Sequence, residues 1–179
     1  MLRRVQVPKT YMFNFYVHVP KFWGGGCAQI WVTTEPRTEK VMNIALIAHD
    51  TKKELMVQFC IAYCGILSRH SLCATGTTGK LVSEATGLEI TKFLSGTQGG
   101  EEQIASRISY NEIDLLLFLR DPIKPKQNDV SEATLLRLCD VHSIPVATNI
   151  ATAEALIHAL ERGDLDWRDI VNPVRPAVN

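Results

Sequence analysis

From Met42 onward the chain alternates short apolar runs with amphipathic stretches of helical length, and the alternation repeats five times. The apolar runs predict strands at 43–48, 72–74, 90–93, 113–119 and 145–147; the stretches between and after them predict helices at 52–68, 79–86, 101–110, 131–142 and 152–162. Each strand is too apolar for one-sided exposure and suits a sheet covered on both faces. Strict strand and helix alternation implies parallel pairing through right-handed crossovers. The expected fold class is therefore α/β, a three-layer α/β/α domain around a five-stranded parallel sheet. Local signals punctuate it. The second helix is expected to open near Thr77-Thr78, and the last follows Thr148-Asn149, has Thr152 available as a cap and stops at Gly163.

Composition narrows the class without changing it. The chain has 179 residues, 46% apolar and 21% charged, enough for a packed core with no metal or disulfide staple. Its apolar runs, such as residues 115–119, are far short of the roughly 18 to 20 residues of a membrane span, so no membrane partner is expected. Nineteen basic and nineteen acidic residues cancel, which argues against nucleic acid, whose binding needs a concentrated basic field. Five cysteines (27, 60, 64, 73 and 139) form no CxxC pair and read as reduced core thiols of a cytoplasmic protein. His18 and Cys27 have no partner at metal-ligand spacing.

The charge is unevenly divided. Residues 1–41 hold six Lys/Arg against two Asp/Glu, and residues 42–179 hold 13 against 17. The basic arm lacks the apolar core of a secretory signal and the serines of a transit peptide, and reads as an extension of unknown role. Because Met42 opens the first strand, a start codon assigned too far upstream is a second explanation of the arm. The domain expectation is an extension over 1–41, a single α/β domain over 42–172 and a tail over 173–179.

Chemistry collects where the strands end. In an open parallel sheet, ligands bind outside the carboxyl ends of the strands, near the point where strand order reverses. Here those ends read His49-Asp50, Thr75-Gly76-Thr77-Thr78-Gly79, Ser95-Gly96 through Gly99-Gly100-Glu101, Arg120-Asp121-Pro122 and Thr148-Asn149. The Thr/Gly turn leads into a helix, so its N–H groups and hydroxyls can seat a phosphate on the positive end of the dipole. It is not a Walker loop, since position 74 is Ala and position 81 is Leu. Taken alone such a turn serves equally well as a simple helix cap; Ser95-Gly96 supplies a second donor-rich turn, and Lys53 a countercharge. Asp50, Glu101 and Asp121 place three carboxylates on the same rim. Gathered carboxylates can act as general bases, although each of these would also serve as an ordinary helix-end residue.

Taken together these motifs resemble the methylglyoxal synthase family. The similarity runs in order and spacing from about residue 42 to 172, through Ile47-Ala48-His49-Asp50 with Lys53, Ala74 to Gly79, Ser95-Gly96 with Gly99-Gly100, Arg120-Asp121-Pro122, Leu135-Leu136-Arg137-Leu138 and Ile144 to Asn149 with Thr152-Ala153. The resemblance implies a cytoplasmic lyase that turns dihydroxyacetone phosphate into methylglyoxal and inorganic phosphate. It implies no metal or organic cofactor, a homohexamer inhibited by phosphate, and strand order 3-2-1-4-5. By the same resemblance Lys53, Thr75, Gly76, Thr77, Thr78, Ser95 and Gly96 hold the phosphate, His49 binds substrate, and Asp50 and Asp121 support catalysis.

Four positions depart from the family pattern. The family's base, an aspartate directly after Gly-Gly, is Glu101 here, one methylene longer; a shift of about 1 Å can cost roughly a hundredfold in rate. Thr97 stands in place of a proline, which frees the loop that carries the base. Asn128 and Ser131 align with a histidine and an aspartate, and Asn128 can donate a hydrogen bond but cannot exchange a proton. Arg175 is a weak match to a carboxyl-terminal arginine. Two functions follow: a methylglyoxal synthase with Glu101 as base, or a phosphate-binding regulatory protein on the same fold, similar to the allosteric domain of carbamoyl-phosphate synthetase large chains.

Overall fold

The computed structural model describes residues 40–123 and 129–168, with backbone alone at 129–131. Apart from Lys40 and Val41, the expected arm and tail lie outside the described residues, as do Asn128, Arg175, His18 and Cys27. Five strands, β1 (Asn43–Ala48), β2 (Ser71–Ala74), β3 (Ile90–Lys92), β4 (Leu115–Leu119) and β5 (Val146–Ala147), form one sheet in the order β3-β2-β1-β4-β5. Every pairing is parallel, and the β1–β4 register runs from Ile44 opposite Leu115 to Ala48 opposite Leu119. The helices are α1 (Lys53–Ala62), α2 (Cys64–Leu67), α3 (Gly76–Thr86), α4 (Gly100–Ser109), α5 (Asp129–Val141) and α6 (Ile150–Arg162).

Successive residues of β1 explain why its sequence shows no polar face. Ile44, Leu46 and Ala48 pack into one core with Met56, Val82 and Ile157 of α1, α3 and α6. Ala45 and Ile47 enter a second core with Ile104, Ile108, Leu135 and Cys139 of α4 and α5. Opposite faces of one strand therefore bury against different helix layers, and every residue of β4 is likewise buried. The chain builds β1, β2 and β3 outward in one direction and then returns to place β4 on the other side of β1. That reversal lies between β1 and β4, with His49 at the end of one strand and Asp121 just beyond the other.

Strand and helix ends shift by one to three residues, β4 opening at Leu115 rather than 113 and α5 at Asp129 rather than 131, and three differences have a clear cause. The stretch 52–68 breaks at Tyr63 into α1 and α2, because Tyr63 leaves helical ψ and packs its ring against Phe59 at 4.8 Å and His158 at 5.5 Å. Helix α3 opens at Gly76 after an extended Thr75, about one turn earlier than expected. Asn149, not Thr152, caps α6: its side-chain oxygen accepts from the Thr152 N–H at 3.0 Å.

At the amino end of the sheet a buried arginine ties four segments together. The Arg168 guanidinium donates to the carbonyl oxygens of Ser143 at 2.5 Å and Ile113 at 3.3 Å and to Asn111 Oδ1 at 3.1 Å. Its Nε faces Asp114 Oδ1 at 3.5 Å, outside hydrogen-bond geometry, while Asp114 Oδ2 accepts the N–H of Asn43 at 2.8 Å. Asn111 and Ser143 adopt φ of 56° and 52°, bending their loops around the cation.

Candidate active site

The strand ends are laced together by backbone bonds. His49 N–H donates to Leu119 O at 3.1 Å, Thr75 N–H to Leu46 O at 3.3 Å, and Arg120 N–H to Thr148 O at 3.3 Å. The tightest junction lies around Leu94. Gly76 N–H donates to Leu94 O at 2.9 Å and Gly100 N–H to Ser95 O at 3.0 Å, so the starts of α3 and α4 are pinned to the same short segment. Neither position tolerates a side chain: a Cβ on Gly76 would fall 2.7 Å from Phe93 O, and one on Gly100 would collide with Leu94 O. Gly76, expected to hold phosphate, and Gly100 thus both permit close backbone approach.

This packing brings the Thr/Gly turn, the Ser95-Gly96 turn and Glu101 to one junction. Thr75 and Thr78 are buried and their hydroxyls meet at 3.2 Å, while Thr77 is exposed. Among the described residues the N–H groups of Thr77 and Thr78 donate to no carbonyl or side chain. They are the unused donors of a helix start, where a dianion is favoured. Ser95 precedes a short turn over Gly96–Gln98, and its hydroxyl contacts Thr97 Oγ1 at 3.2 Å and Gln98 Oε1 at 3.0 Å. Gly99, at φ 96°, then turns the chain into α4. Glu101 lies in the first turn of α4 with only 8% of its surface exposed.

The remaining rim residues form a second group. Lys53 Nζ bonds Asp50 Oδ1 at 2.6 Å, and the Asp50 side chain is 78% exposed. Asp121 is held on both oxygens, by Thr51 Oγ1 at 2.7 Å and by the Ile123 N–H at 3.0 Å. His49 is buried, with its ring edge-on to Phe118 at 5.4 Å. Its Nδ1 accepts the backbone N–H of Asp121 at 3.0 Å, a bond that requires Nδ1 unprotonated and leaves the proton on Nε2. That nitrogen faces Glu132 Oε2 at 3.8 Å, and the other Glu132 oxygen pairs with Arg120 Nη1. Sequence reading placed Arg120 in a motif without a role and missed Glu132. The missing signal was tertiary: Arg120 and Glu132 are twelve residues apart and meet only when α5 docks. Of Ser131 only its helical backbone is described.

Comparison with known proteins fits this geometry. Residues 56–148 match the MGS-like domain. The chain is 67% identical over 132 residues to the methylglyoxal synthases of Caldicellulosiruptor saccharolyticus and Caldicellulosiruptor bescii, covering 74% of this chain and 94% of each relative. It is 55% identical over 130 residues to that of Oceanobacillus iheyensis, covering 73% of this chain and 93% of the relative. The crystal structure of methylglyoxal synthase from Elizabethkingia anophelis NUHP1 superposes with a TM-score of 0.63 at 34% identity, over 77% of this chain and 95% of that one. The fold and rim define an MGS-like α/β domain. Within that class, the chain belongs to the methylglyoxal synthase family.

Proposed function

We propose that this chain is a carbon–oxygen lyase that converts dihydroxyacetone phosphate into methylglyoxal and inorganic phosphate. The substrate's phosphate sits on the N–H groups of Thr77 and Thr78 and against Ser95-Gly96, with Lys53 as countercharge and Thr75 and Thr78 hydroxyls shaping the seat. Glu101 takes a proton from the hydroxymethyl carbon. The electron pair moves into the carbonyl, and the growing charge on its oxygen is met by the His49 Nε2–H. The enediol then gives its hydroxyl proton to the departing phosphate and forms an aldehyde as the bond from carbon to the phosphate oxygen breaks. The electron pair leaves with phosphate, and the resulting enol relaxes to methylglyoxal. In this reading Asp50 orients Lys53, and Asp121 orders the loop that holds His49. Asn128, outside the described residues, is a further substrate contact.

One observation supports this assignment above the others: the starts of α3 and α4 share the Leu94–Ser95 segment, which sets unused donors and a buried carboxylate at one junction. The relatives named methylglyoxal synthase, covered over nearly their whole length, favour a lyase over a regulatory binding protein. Among the described residues no helix is long and apolar enough to cross a membrane. The proposal extends to a homohexamer, inhibition by phosphate and a cytoplasmic setting, the first two checked by sedimentation and by titrating phosphate into the assay. For the activity itself, purified protein incubated with dihydroxyacetone phosphate should release equimolar methylglyoxal and phosphate. Absence of both at high enzyme concentration would refute the assignment.

A further inference from the structure

His49 is gripped from two directions, and only one of them belongs to the rim motifs. The first grip is the Asp121 N–H on Nδ1 at 3.0 Å, which permits a neutral ring protonated at Nε2. The second is Glu132, whose Oε2 lies 3.8 Å from Nε2. That separation is too long for a direct hydrogen bond and leaves the proton available to an incoming oxygen, yet the carboxylate still attracts the N–H electrostatically. Glu132 does not choose its own position. Its Oε1 is paired with Arg120, and Arg120 is tied by its backbone N–H to Thr148 O at 3.3 Å, across the junction of β4 and β5. Both partners are largely withdrawn from solvent, with 35% of the Arg120 side chain and 20% of the Glu132 side chain exposed.

We propose that Glu132, clamped by Arg120, is the positioning residue for His49. With the Asp121 N–H seated on Nδ1, the Glu132 carboxylate keeps the imidazole proton on Nε2 and fixes the ring beside the substrate's carbonyl oxygen. This rests on the proposed function, because it assigns His49 the carbonyl. The physical need is clear from the site's own chemistry. With Nδ1 occupied as an acceptor of the Asp121 N–H, Nε2 is the ring nitrogen left to donate. A donor of that kind is useful only if its direction is fixed before charge develops. Phe118 fixes one edge of the ring and Asp121 one nitrogen; Glu132 fixes the direction of the other nitrogen.

The test compares wild type with Glu132→Gln and Glu132→Ala by turnover and by 15N spectroscopy of the histidine side chains. In wild type near pH 7.5 the His49 signals should show Nε2 protonated and Nδ1 bare. In Glu132→Ala these signals should shift toward a tautomer mixture, and kcat should fall on the order of tenfold to a hundredfold while KM stays within about threefold. Glu132→Gln, nearly isosteric, should fold like wild type and fall between the two. Unchanged kcat in both variants would overturn the proposal, and so would lost activity with unaltered His49 signals, which marks a structural role only. The spectra need no turnover: an inactive wild type would refute the proposed reaction, while the His49 signals still report on Glu132.

Discussion

The two ends of the sheet handle polar groups in opposite ways. At the amino end, Asp114 and Arg168 are almost entirely buried, and the guanidinium has carbonyl or amide partners on both terminal nitrogens. At the carboxyl end the Thr77 and Thr78 N–H groups are unused among the described residues, and the His49 Nε2–H has no acceptor within hydrogen-bond distance there. Buried polar groups whose needs are met inside the chain hold the fold. Donors left unused inside the chain are open to a ligand, and the fold must bear their cost elsewhere. In the Arg168 knot only Nε lacks a hydrogen bond, whereas at the proposed active rim whole donors are open.

Four changes would break or sharpen this contrast, and they run from large to small. Arg168→Ala leaves Asp114 buried without its cation and should destabilise the protein by about 3 to 5 kcal/mol, read from the denaturant midpoint. Its kcat per folded molecule should match wild type; a large loss of kcat would mean that the two ends are not separate. Gly100→Ala should cost activity in the molecules that fold, as well as stability. Its Cβ displaces Leu94 O and with it the segment shared by α3 and α4, so activity should drop about a hundredfold.

Glu101→Asp sharpens the geometry of the base. If the extra methylene misplaces the carboxylate, the shorter side chain should raise kcat about tenfold, a change of about 1.4 kcal/mol in the barrier. An unchanged or lower rate would show that the loop freed by Thr97 already accommodates glutamate.

The smallest effect concerns the core under both ends. Burial pushes the Cys60 and Cys139 thiols up to about 12 and Cys73 to about 11, from an ordinary 9.0. Because the folded values are raised, the native state keeps these protons while the unfolded chain releases them. Stability is therefore complete below pH 9 and declines above it, on the order of 1 kcal/mol per thiol by pH 10. Urea midpoints at pH 8 and pH 10 should show the decline, and Cys60→Ala should lessen it.

Much of this was legible in the chain itself. Strand positions, parallel pairing and the gathering of loops at one rim follow from β1 and β4 being apolar throughout, since only a two-sided sheet buries such runs. That the Thr/Gly turn opens a helix and that Glu101 lies in a first helical turn were readable because those signals are local. What escaped was long-range. The break at Tyr63 depends on His158 of another helix, the Asn149 cap on backbone angles, and the Arg120, Glu132 and His49 cluster on the docking of α5. Arg168 looked like any charged residue near a chain end, and its burial is decided by Asp114, Asn111 and Ser143, three segments away in sequence.

The rim's division of labour is tested most directly by Glu101→Gln measured two ways at once, by the rise in melting temperature with inorganic phosphate and by methylglyoxal formed from dihydroxyacetone phosphate. The amide should keep the phosphate-induced shift of wild type, because the donors at Thr77 and Thr78 are untouched, while turnover falls by about a thousandfold. Turnover within a few-fold of wild type would contradict Glu101 as the base, and loss of the phosphate shift would contradict a seat built from the start of α3.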